Sequence, residues 1–212
     1  MTQPGQDVAS DLAYVKSLAE EGRDAPLLGG RYYLIWGGLI GLAALFAYLD
    51  DVEAISLGAA SGYAPWVTAG VIGWILSFTV GRGASAKPGA LTLGNKTAFA
   101  AWLAVGIFMT IFFITMTIIH DNYTQFGVPP YFLFNFMFPV SFGFYGVAFY
   151  ATAVAARLSW LKGIAVLSWL FSVVCLFMLG SQHLLLVGAV GSFFCAALPG
   201  LLLLRSEPSD IV

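Results

Sequence analysis

Polar and apolar positions along this chain do not alternate; they separate into blocks. Six blocks contain no Asp, Glu, Lys or Arg: 32–49, 65–81, 97–119, 131–156, 163–179 and 184–204. Each is apolar on every face, unlike a half-buried strand, a barrel strand or a water-facing helix. A helix rises 1.5 Å per residue and a bilayer core is ~30 Å thick, so about 20 apolar residues cross it. The pattern therefore predicts an all-α integral membrane protein, a six-transmembrane-helix bundle. Pro65 suits the first turn of the second helix, where its missing N–H is unbonded anyway, and Pro129-Pro130 open the fourth. The short links 157–162 and 180–183 allow only antiparallel hairpins, so each helix is expected to touch its sequence neighbour.

The charged positions orient these blocks. Lys16, Arg23 and Arg31 precede the first, Arg82, Lys87 and Lys96 lie between the second and third, Arg157 and Lys162 lie between the fourth and fifth, and Arg205 follows the sixth. All 9 basic residues thus fall on one side of a six-span arrangement. Positive charge stays on the cytoplasmic side, which places both termini there and the chain in the cell (inner) membrane. No basic and apolar leader pair precedes the first block, so that block is expected to serve as the insertion signal.

Residues 1–30 form a cytosolic leader, and 206–212 a cytosolic tail. Within the leader, residues 7–21 read as a short amphipathic helix: Val8, Leu12, Val15 and Leu18 share one face, Asp7 and Asp11 suit the N-terminal end, and Gly22 ends it. Four acids against Lys16 disfavour docking on an anionic leaflet. The apolar stripe is then expected either to tuck against the cytosolic ends of the bundle or to dock a protein partner.

Composition narrows the function classes. The chain is 59% hydrophobic and 9% charged, against roughly a quarter charged in soluble domains. A water-soluble body and a disordered chain are both excluded. With 11 acidic residues against 9 basic, no nucleic-acid surface is expected. Cys175 and Cys195 both lie inside blocks and read as small apolar fillers.

Chemistry is sparse. No ionisable carboxylate or amine sits at membrane depth, which argues against a proton or ion relay. Phosphate-loop, zinc-protease, CxxC and nucleophile-elbow motifs are absent, no acid–base pair is visible, and no cofactor is implied. The outer face gathers Asp50, Asp51, Glu53, His120, Asp121 and His183, donors that suit zinc-like ions. Their spacing is irregular, and His120, Asp121 and His183 read first as helix-end polar groups. The fourth block carries Asn135, Pro139 and Ser141. A proline inside a helix leaves the carbonyl four residues earlier unpaired, here that of Asn135, which predicts a kink with a polar notch in an aromatic wall. Pro199 predicts a similar break in the sixth helix.

Small residues recur at helical spacing: Gly37 and Gly41, then Gly73, Ser77 and Gly81, then Gly188, Ser192, Ala196 and Gly200. Such ridges let membrane helices approach closely, here expected within one protomer rather than between copies. A basic residue followed by a tryptophan also recurs, at Arg31 and Trp36, Lys96 and Trp102, Lys162 and Trp169, as interfacial anchoring would produce.

Two functions fit. One is a non-catalytic bundle that works by association with a membrane or cytosolic protein or with a second copy. The other is a passive facilitator for a small uncharged or amphipathic solute, lined by Asn135, Ser141, Thr110, Thr117, Ser168 and Ser172. A facilitator needs these groups to converge on a wet path, whereas a structural bundle bonds each one to a helix.

Overall fold

A computed structural model describes residues 12–15, 26–84, 89–129 and 132–207. Six long helices follow one another: α1 (Gly30–Asp51), α2 (Ala64–Ala84), α3 (Leu93–Thr124), α4 (Phe132–Ala155), α5 (Trp160–Phe177) and α6 (His183–Ser206). No strand occurs among the described residues. Five of these helices are long and apolar enough to cross a membrane, and the apolar stretch of α2, Ala64–Val80, is shorter. Residues 12–15 form a helical turn on which Leu12 and Val15 are exposed; Val8 and Leu18 lie outside the described residues.

The helices alternate in direction. Residues 26–30 meet Asn95 and Glu207 at the end carrying most of the basic residues, here the basic end. At the opposite, acidic end, Tyr48 packs on His183 and Phe134 on His120. Pro65 falls in the first turn of α2 as expected.

Packing order departs from sequence order at one junction. α1 packs on α2 and along the whole of α6, α6 on α5, α5 on α4, and α4 on α3. α2 and α3 do not form a substantial interface, contrary to the expectation that every sequence neighbour would touch. The reason lies in the side chains: α1 offers its glycine ridge to α6, and that pairing leaves α2 on one flank and α3 on the other.

The α1–α6 contact is made backbone to backbone. A Cβ at Gly30 would lie 2.6 Å from the Gly200 carbonyl oxygen, one at Gly37 would strike the backbone nitrogen of Ala197, and one at Gly200 would strike that of Leu34. Gly41 faces the Phe193 ring. On α2, Gly73 faces the Trp36 indole, whose Nε1 donates to Ser77 Oγ at 2.9 Å. The small-residue ridges therefore pack within the protomer, as expected. On α6 the ridge divides: Gly188 receives the Phe138 ring of α4, while Ala196 and Gly200 meet α1.

A π-helical turn, Phe193–Ala197, separates those halves, with Leu198 N–H donating to the Phe193 carbonyl. Pro199 cannot donate to the Cys195 carbonyl, and the widened turn absorbs the defect. The break anticipated there is present in this form. Cys175 and Cys195 are buried and free.

Two cores result. One, toward the basic end, joins Leu27, Tyr33, Ala98, Phe149, Ala153, Leu161, Ala165 and Leu203. The other joins Ala44, Phe138, Phe142, Cys175, Leu184, Ala189 and Cys195.

Candidate functional site

The helix hydroxyls that a solute path would need do not converge. Thr110 Oγ1 donates to the Gly106 carbonyl at 2.8 Å and Thr117 Oγ1 to that of Phe113 at 2.9 Å, and both threonines are exposed on α3. Ser168 Oγ donates to the Ile164 carbonyl at 2.8 Å and Ser172 Oγ to that of Pro139 at 2.7 Å. Ser141 Oγ points to Met109 Sδ at 3.7 Å, a weak contact that ties α4 to α3. Each hydroxyl thus meets a carbonyl of its own helix or an atom of its neighbour.

Helix α4 differs from expectation. It opens with a 3₁₀ turn, Phe132–Phe136, that carries half-buried Asn135, and only then becomes α-helical from Met137. Pro139 therefore sits in the first turn of the α-helical part, where no N–H is required, and not in a helix interior. The irregularity expected around Asn135 and Pro139 takes the form of this 3₁₀ turn, which sets where the α-helical ladder begins. Asn135 stands in the turn, Pro139 offers its carbonyl to Ser172, and Ser141 turns toward α3, so these three residues take separate partners or positions.

The donors at the acidic end also separate. His120 Nε2 lies 3.0 Å from Asp121 Oδ1, its Nδ1 is 2.7 Å from the Thr117 carbonyl, and its ring packs beside Phe134 of α4. His183 packs instead beside Tyr48 of α1. Among the described residues no three His, Cys, Asp or Glu side chains come together as a metal-holding group. Asp50 has a different task. Just past the apolar stretch of α1, its carboxylate accepts from the Ser61 hydroxyl and from Leu57 N–H, which folds the 52–61 loop back on the helix end. Those hydrogen bonds, that of Ser61 first, hold its carboxyl below the usual range.

The densest polar constellation is one that sequence reasoning missed. Asn95, buried at the start of α3, accepts from Leu28 N–H at 2.6 Å, and its amide donates to the Pro26 and Gly89 carbonyls and to Thr92 Oγ1 at 3.0, 3.0 and 3.1 Å. Glu207 Oε1, at the end of α6, accepts from Gly29 and Gly30 N–H, both at 3.1 Å. A carboxylate there satisfies unpaired donors at the N-terminus of α1 and complements the helix dipole. Leu27 plugs the core between the two clamps. Asn95 stands only in an Asn-X-Thr triplet, Asn95-Lys96-Thr97, which says nothing of its partners, and no motif singles out Glu207.

The recurring tryptophans are wedges between helices. Trp36 bonds Ser77, and Trp169 Nε1 reaches the Gly143 carbonyl at 3.2 Å across a gap that a Cβ at Gly146 would fill. Trp102 packs against Tyr33, Phe149 and Tyr145, at centroid distances of 4.7, 4.7 and 5.2 Å.

No protein family matches the chain, and no curated protein and no solved structure matches it either.

Proposed function

We propose that this chain crosses the cell (inner) membrane six times, with both ends in the cytosol, and works by association with a protein partner rather than by catalysis or solute passage. The bonding of Thr110, Thr117, Ser168 and Ser172 to helix carbonyls carries this reading, because it leaves no row of unpaired polar groups for a solute to follow. Two further features support it. One face of α3, carrying Ile107, Ile111, Ile114 and Ile118, is exposed, and so are Leu12 and Val15 of the leader. The clustering of every lysine and arginine between alternate helices supports the orientation, and it counts α2 as a crossing despite its shorter apolar stretch.

Purification of the full chain from its native membrane in mild detergent tests this reading. A stoichiometric partner, or a defined oligomer of the chain itself, is expected. A monomer that admits small neutral solutes into proteoliposomes, and stops doing so as Asn135→Leu, would establish the facilitator instead. Orientation is tested separately by Arg157→Cys, whose thiol is expected to resist impermeant reagents added outside the cell.

A further inference from the structure

Two of the three wedge tryptophans donate their indole N–H to a neighbouring helix, Trp36 to Ser77 and Trp169 to Gly143. The third does not. Trp102 Nε1 is sealed from the surroundings and has no acceptor among the described residues. Thr152 is the matching exception among the hydroxyls. Ser168 and Ser192 bond the carbonyl four residues back, whereas Thr152 is fully buried and its Oγ1 closes no hydrogen bond.

Both exceptions border one cluster. The Tyr33 ring lies 4.7 Å from Trp102 and 5.4 Å from Phe149, which precedes Thr152 by one turn of α4. The Tyr33 hydroxyl faces Thr152 without completing a bond of good geometry. Away from bulk water, an unmet donor and an unmet hydroxyl that border one cluster are costly, and buried polar groups are commonly met by an internal water.

We propose that the junction of α1, α3 and α4 beside Tyr33 binds one small neutral hydrogen-bonding molecule, of the size of water, that accepts from the Trp102 indole N–H and pairs with the Thr152 hydroxyl. Tyr33, Trp102, Phe149 and Thr152 carry no charge, so none of them would neutralise an ion. The rings touch one another directly, so a larger guest has no room. The bound molecule adds a link from α3, little of which is buried, to α1 and α4.

Thr152→Val keeps the side-chain shape and removes the hydroxyl. Deleting an idle buried hydroxyl leaves stability unchanged or raises it, whereas deleting one that holds a guest lowers it. The thermal midpoint of the purified full chain is expected to fall by about 2–4 °C. In ¹⁵N-labelled protein in lipid nanodiscs, the Trp102 indole N–H, assigned by its loss in Trp102→Phe, is expected to show a cross-peak to water that disappears in Thr152→Val. An unchanged or higher midpoint overturns the proposal, as does an indole signal without water contact or one indifferent to Thr152→Val. Should Trp102→Phe fail to fold, the midpoint of Thr152→Val decides alone.

Discussion

α6 and α3 are both apolar helices longer than a bilayer requires, yet 56% of the apolar core of α6 is buried and only 6% of that of α3. Side-chain size explains the difference. α6 presents Gly188, Gly191, Ser192, Ala196, Ala197 and Gly200, and neighbours press rings or backbone against them. From Ile107 to Ile119, α3 has nothing smaller than threonine. Where the surroundings are as apolar as leucine, a large side chain gains little by leaving them, and close van der Waals approach decides which helices meet. Hydropathy identifies the solvent; the spacing of small residues identifies the neighbour.

The largest test of that difference falls on the α1–α6 seam. A leucine at Gly37 would drive its Cβ into the backbone of Ala197, which cannot rotate away as a side chain can. Gly37→Leu is expected to cost more than about 3 kcal/mol, seen as loss of monodisperse protein on size exclusion or as a collapsed thermal midpoint. Gly106→Ala on α3 meets nothing within 4 Å and is expected to leave the midpoint unchanged or slightly higher. Equal effects from the two would erase the distinction.

Next in size is the place where α3 is held by polar bonds. Asn95→Leu leaves Leu28 N–H and the Pro26 and Gly89 carbonyls without their partner, a loss of about 2–3 kcal/mol. Protection of the Leu28 amide from hydrogen exchange should fall with the midpoint. A variant that kept that protection would show that the α1–α6 seam alone fixes the entry segment.

These two cases also mark what the sequence can and cannot convey. The helices were legible because a long run without charge is a local property: five are long and apolar enough to cross a membrane, one apolar helix is shorter, and the observed ends fall within about a turn and a half of the expected ones. The ridges at Gly37, Gly73 and Gly200 were legible because four-residue spacing is local too. Asn95 bonds a residue 67 positions away and Glu207 one 178 positions away, distances over which a single sequence carries no register. The form of the break near Pro139 was not legible for a related reason. A proline's effect depends on where the α-helical ladder starts, and packing sets that start at Met137. The contact between α1 and α6, which displaces the expected one between α2 and α3, is likewise a decision of the whole bundle.

A smaller effect belongs to the acidic end, where α1 leaves the packed seam. Asp50 has its folded-state titration lowered by the Ser61 and Leu57 bonds. The stabilisation is therefore fully present above the usual carboxylate range and is lost as pH falls through the lower folded value. Exchange protection of the Leu57 amide should drop in that acid window and be low at every pH in Asp50→Ala. Protection that ignored pH would mean that the loop is held by its backbone turns alone.

The smallest expected effect sharpens the comparison most. Ile111, Ile114 and Ile118 are 59%, 51% and 70% exposed. Replacing all three by alanine is expected to shift stability by less than about 0.5 kcal/mol per site, since exposed positions free of special features seldom matter more. On the association reading, the same replacement removes a copurifying membrane partner from a chain whose midpoint has barely moved. That separation is what α6 cannot show, because any change there disturbs fold and surface together. A drop of many degrees in the triple variant would mean that this face of α3 is covered by the protein itself, and the contrast between the two helices would be lost.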